Sequence, residues 1–114
     1  MAKLSIRIDF GDGSALGPGK ARLLELIEAT GSIRKAAAGM KMSYRKAWLL
    51  LKALETSFAG PLADTATGGA KGGGARLTPL GKAVARRYRS LEAKAAKAAG
   101  ADLKFLANKA IRKR

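Results

Sequence analysis

The 114-residue chain contains no cysteine and no histidine. The first absence excludes disulfides and thiolate chemistry. The second removes the usual general base and the commonest zinc and copper ligand. Only eight carboxylates are present, and no two are spaced as in a metal-binding loop, so catalysis has almost no candidate groups. The longest uninterrupted apolar run, Ala47–Leu51, falls far short of a membrane span, and the N-terminus lacks the long apolar stretch of a signal peptide. No enzyme activity, metal, cofactor or membrane partner is expected from such a composition.

Positive charge is what the chain has in excess: 23 Lys and Arg against eight Asp and Glu, a net +15. It is unevenly placed. Residues 1–30 and 61–75 are each neutral, residues 31–60 carry +5, and residues 76–114 carry +10. Such a field attracts polyanions, nucleic acid ahead of an anionic membrane. A cytoplasmic, nucleoid-associated protein is the corresponding expectation. The length suits one domain able to fold without covalent staples.

Residues 3–10, KLSIRIDF, alternate apolar and polar and predict a half-buried strand. After the breakers of GDGSALGPG, residues 20–30 predict a helix with Leu23, Leu24 and Ile27 on one face and Gly31 as C-cap. Ser32 is a suitable N-cap for a short helix over 33–38, and Ser43 for a third helix from Tyr44 to about Ser57. On that third helix Ala47, Leu51, Leu54 and Phe58 form the inward stripe. The single tryptophan, Trp48, lies next to that stripe and is expected mainly as core or structural support, with a position partly facing nucleic acid as the alternative. One of Leu49 and Leu50 is expected to contact a partner subunit or the C-terminal piece. PLADTAT and ARLT predict two short strands joined by the glycine-rich TGGAKGGG, a loose hairpin. Thr78 and Pro79 open a long helix to about Ala99. Its Val84, Tyr88, Leu91, Ala95 and Ala98 repeat at heptad spacing and predict a dimerisation seam. Arg86, Arg87 and Arg89 beside it are expected to add long-range field. Gly100 is expected to break this helix ahead of a short amphipathic piece, Leu103, Phe105, Leu106 and Ile111, and a basic end.

The segment GSIRKAAAGMKMSYRKAW concentrates the functional signal. Two short helices, small residues at Ala36 and Ala37 where they cross, and a glycine-led turn fit a helix-turn-helix. Its second helix would offer Ser43, Tyr44, Arg45 and Lys46 to a major groove, Arg45 and Lys46 to guanine or phosphate and Tyr44 to stacking or phosphate. Ser32, Arg34 and Lys35 at the start of the first would meet phosphate. Lys71 and Arg76 would add charge at the tip and root of the hairpin. The glycine run is not a P-loop, because Lys71 is followed by glycines and no Ser or Thr.

The run GPGKARLLELIEATGSIRKAAAGMKMSYRKAW…FAGPL…TGGAKGGGARLTPLGKAV resembles the N-terminal DNA-binding domain of molybdate-responsive ModE-type bacterial regulators and their stand-alone relatives, over roughly residues 15–95. Its GSI, serine and LT-x-x-G spacings are also similar to those of LysR-type regulators. The resemblance implies a mainly α fold with a small β-hairpin: a winged helix-turn-helix over residues 1–78, with its recognition helix near 43–57 and its wing near 62–78. A dimerisation helix and basic tail would occupy 79–114. It further implies a homodimer on a palindromic DNA operator, linked to molybdate or molybdoenzyme genes. This sequence has Glu55 where the family often has asparagine, and no counterpart of the family's oxyanion-binding domains, so no small-molecule effector is expected on it. A non-specific architectural nucleic-acid binder is the alternative; an oxyanion sensor or enzyme is a distant third.

Overall fold

The structure is a computed structural model and describes residues 2–66 and 74–111. The order of elements is β1 (Ile8–Asp9), β2 (Ala15–Leu16), α1 (Pro18–Thr30), α2 (Ile33–Gly39), α3 (Tyr44–Glu55), β3 (Ala63–Ala66), β4 (Gly74–Leu77), α4 (Pro79–Ala98) and α5 (Gly100–Lys109). The fold is mainly helical, with two small antiparallel sheets, β1–β2 and β3–β4.

The helices begin and end where local chemistry directs. Pro18 occupies the first turn of α1, where a missing N–H costs nothing. Gly31, in the left-handed region at φ 71°, closes that helix by donating its N–H to Ile27. Ser32, Ser43 and Thr78 cap α2, α3 and α4, each hydroxyl accepting the N–H three residues on. Between α2 and α3 the chain turns through Lys41, a non-glycine residue at φ 56°. The turn is closed by Met40 and Met42 N–H groups donating to Ala36 and Ala37 carbonyls.

A single core joins α1, α2, α3 and the first half of α4. Leu23, Leu24 and Ile27 of α1 meet Ile33, Ala36 and Ala37 of α2 and Ala47, Leu51 and Leu54 of α3. Alanines at the α2 crossing let the backbones approach, as their spacing predicts. Val84, Ala85 and Tyr88 of α4 complete the core.

Two backbone junctions hold the β3–β4 hairpin to the helices. Ala75 donates its N–H to the Gly31 carbonyl at 2.8 Å, tying β4 to the α1–α2 turn. At the other end, Thr78 N–H donates to Leu62 O at 3.0 Å, and Thr78 Oγ1 donates to Pro61 O at 2.7 Å. Gly81, in the first turn of α4, lies against the Leu62 backbone so closely that no β-carbon fits. Glu55, at the end of α3, accepts the Leu62 and Ala63 N–H groups on Oε2 while Lys52 approaches Oε1 at 3.2 Å. The glutamate thus orients the strand that leaves α3.

Several expectations are corrected. The strand expected over 3–10 is paired only at Ile8–Asp9, because its partner, Ala15–Leu16, is two residues long. Helix α1 starts at Pro18, two residues earlier than the pattern indicated, and α3 ends at Glu55. Phe58 is half-buried and meets Phe10 edge-on at 5.4 Å. Gly100 does not end helical structure: α5 starts there, with only Ala99 between it and the end of α4.

The expected seam on α4 divides. Tyr88 is 1% exposed and donates its hydroxyl to the Ile6 carbonyl, and Val84 is also buried in the domain's own core. Their apolar side chains are already covered by α1 and the N-terminal segment. Leu91 and Ala98 are exposed, Ala95 half-buried, and α5 has no buried residue, with Phe105 and Leu106 open to solvent. Arg89, expected to lend only field, instead clasps Glu25 with two hydrogen bonds of 2.9 and 3.0 Å and Glu92 with one of 2.8 Å.

Candidate nucleic-acid interface

The N-terminal turns of α2 and α3 lie side by side. The link between them is the Arg34 guanidinium, 4.9 Å from the centroid of the Tyr44 ring, within cation–π range. Arg34 belongs to the first turn of α2 and Tyr44 to the first residue of α3, so the structure brings together two residues that the sequence had assigned to one surface. Lys35, Arg45 and Lys46 are exposed beside them. No carboxylate occurs between Gly31 and Leu54, so nothing within this segment neutralises the patch.

Ser32 and Ser43 are committed to their helices: Oγ of each accepts a backbone N–H at 3.1 Å, from Lys35 and Lys46 respectively. Each hydroxyl keeps its own O–H to donate outward at this surface. Arg76 is exposed on β4 and registers opposite Asp64 of β3. Lys71 lies outside the described residues. The β3–β4 hairpin, through the Ala75–Gly31 bond, lies next to the turn from which α2 departs.

Trp48, for which sequence reasoning put core or structural support ahead of a DNA-facing position, and Leu49, expected against a partner subunit or the C-terminal piece, also stand on this side. Trp48 is 39% exposed and Leu49 47%, on the same side of α3 as Tyr44, at 42%. A large apolar side chain next to a buried stripe reads as core; the signal against it was helical phase. At about 100° per residue, Tyr44, Trp48, Lys52, Arg45 and Leu49 fill an arc of about 140°, and Ala47, Leu51 and Leu54 fill a different one. Lys52 Nζ stands 5.5 Å from the Trp48 ring centroid while it pairs with Glu55.

Elsewhere, four further carboxylates are held in local pairs: Asp9 with Arg7, Glu28 with Lys82, and Glu25 and Glu92 in the Arg89 clasp. No helix among the described residues is long and apolar enough to cross a membrane.

No protein-family model matches the chain. Among curated proteins it is similar to the molybdenum transport protein ModE of Azotobacter vinelandii, 38% identical over 92 residues, which is 81% of this chain and 33% of that protein. It is similar to the molybdenum-pterin-binding protein MopB of Rhodobacter capsulatus, 40% identical over 85 residues, 75% of this chain and 32% of the relative. The transcriptional regulator ModE of Haemophilus influenzae is 39% identical over 77 residues, 68% of this chain and 30% of the relative. The chain thus spans about a third of the length of these relatives, and over most of its own length it is similar to proteins named ModE and MopB.

Proposed function

We propose that this chain is a ModE-family DNA-binding transcriptional regulator built on a winged helix-turn-helix. In this reading α2 and α3 are the two helices of the motif, α3 enters the major groove, and β3–β4 is the wing. The observation that carries it is the joint surface at the N-termini of α2 and α3. There Arg34 braces Tyr44 while Lys35, Arg45 and Lys46 stand free in a carboxylate-free segment. Phosphate contacts by Arg34, Lys35, Lys46, Lys71 and Arg76 would give affinity; Tyr44 and Arg45, with Lys46, would discriminate among bases. The chain would act as a homodimer on a palindromic operator, through Leu91, Ala95 and Ala98 on the outer half of α4 together with α5, not through Val84 and Tyr88. A link to molybdenum-related genes is supported by the names of its relatives. No cofactor or effector site is assigned to these residues.

A selection of bound duplex from random sequence, followed by fluorescence anisotropy across a salt series, tests this reading. Affinity should fall with salt at a slope of about −0.9 per phosphate neutralised, and the spacing of the selected half-sites should report a dimer. Arg45→Ala should weaken the selected site by about 1–3 kcal/mol and relax one base position. Flat affinity across salt would refute the proposal. The excess charge of residues 76–114 favours a second reading, non-specific architectural binding. Random duplex competing as well as the selected site would establish that reading, since a specific regulator prefers its site by about 10³ or more.

A further inference from the structure

We infer that Trp48 and Leu49 form an apolar reader of thymine, packing on 5-methyl groups in the major groove one turn along from Tyr44 and Arg45. The inference rests on α3 being the groove-entering helix, and it assigns that helix a second kind of base contact beside its cations. Three observations converge on it. Trp48 and Leu49 are exposed apolar residues, 39% and 47% open, on a helix whose inward stripe is otherwise filled by Ala47, Leu51 and Leu54. They are bordered along the helix by Arg45, Lys46 and Lys52 with no carboxylate free to face them. The one acidic residue on the helix, Glu55, is turned to the Leu62 and Ala63 N–H groups and to Lys52. The charge of this surface therefore suits a polyanion, while its centre is apolar. In a major groove the apolar feature that distinguishes one base from the others is the thymine methyl group.

The neighbouring side chains also prepare the indole for such a contact. Lys52, held by Glu55, stands 5.5 Å from the Trp48 ring centroid. Glu55 in turn fixes the backbone that enters β3. The indole, the cation beside it and the first strand of the hairpin are thereby joined through a single glutamate. Trp48 is a contact residue in this reading; Lys52 and Glu55 are positioning residues.

The test is a thymine-to-deoxyuridine scan of the selected operator, which deletes one methyl group at a time and leaves every hydrogen-bonding edge intact. Affinities are read by fluorescence anisotropy for the wild type, Trp48→Ala and Leu49→Ala, with circular dichroism to establish that each variant is folded. The wild type should lose about fourfold in affinity at one or two thymines per half-site, the effect of one buried carbon. That loss should vanish in Trp48→Ala or Leu49→Ala at the same position, a coupling that a purely structural role would not produce. The scan on the wild-type protein stands alone should a variant fail to fold. Uracil tolerated at every position would overturn the inference, as would equal losses in wild type and both variants. Both results leave the regulator reading intact. A wild type that prefers no site over random duplex overturns that reading and this one together.

Discussion

Adding one carbon at Gly81 should be among the most damaging small changes available to this fold. A β-carbon there would fall 2.9 Å from the Leu62 carbonyl carbon and 3.2 Å from its Cα, with the carbonyl oxygen nearer still, whereas ordinary contact begins at 3.4 Å. The neighbours are backbone atoms and cannot rotate away, so α4 must retreat by about an ångström. Retreat stretches the bonds from Thr78 N–H to Leu62 O and from Thr78 Oγ1 to Pro61 O. Overpacking costs about 2 kcal/mol, the two hydrogen bonds about 1 kcal/mol each, and the better helix propensity of alanine returns about 1 kcal/mol. The net destabilisation is about 3 kcal/mol, or about 12 °C in melting temperature for a domain of this size. Thermal unfolding followed by circular dichroism measures it. Gly19→Ala is the control: the same change in the first turn of α1, where an added carbon meets nothing within 4 Å, should leave the melt unchanged or slightly raised. A Gly81→Ala variant that melts with the wild type would refute the close packing of α4 on Leu62.

Three further outcomes are expected. Lys41→Gly should stabilise the protein by up to about 1 kcal/mol, because lysine at φ 56° bears a left-handed penalty that glycine escapes; an unchanged or lower midpoint in a urea titration would contradict this. Glu55→Ala should destabilise by about 1–3 kcal/mol by leaving the Leu62 and Ala63 N–H groups without their acceptor, with Glu55→Gln milder since its amide oxygen can still accept. The two melts compared with wild type decide it. The Glu25 carboxyl lies below its ordinary value of 4.5, chiefly because the Arg89 guanidinium hydrogen-bonds it. A carboxylate so depressed adds stability above pH 4.5 and loses it as pH falls through its folded value. Arg89→Met should therefore flatten the acid side of the melting profile below that pH, and profiles of equal slope would count against the clasp.

The helical part of the fold was legible because its signals are local. Ser32, Ser43 and Thr78 announce three helix starts, and each is found capping the helix it precedes. The β1–β2 pairing was not, since Ala15 and Leu16 carry no strand pattern of their own and are paired only through register with Ile8 and Asp9. The heptad on α4 was legible only in part, for a similar reason. Spacing reports that one side of a helix is apolar, not what covers it, and the same stripe faces the domain core at Val84 and Tyr88 and solvent at Leu91. At the candidate interface, residue type pointed to the cations of α2 and α3, but the Arg34–Tyr44 contact depends on how two helices cross. Helical phase puts Trp48 beside the buried stripe, and its 39% exposure decides between the core and DNA-facing positions that phase leaves open. Glu55 was visible only as an unusual residue; its two backbone partners lie seven and eight positions away across a turn.

The bond between Ala75 N–H and the Gly31 carbonyl has a consequence for engineering. Both partners are main-chain atoms, so no exchange of side chains short of proline at position 75 deletes it. The hairpin and the start of α2 are thus aligned by a joint independent of the residues displayed on either. Arg34, Tyr44, Arg45, Trp48 and Leu49 can be replaced wholesale, as in a library built to read other duplexes, while the angle between hairpin and helix is retained. The chain separates aim from alphabet.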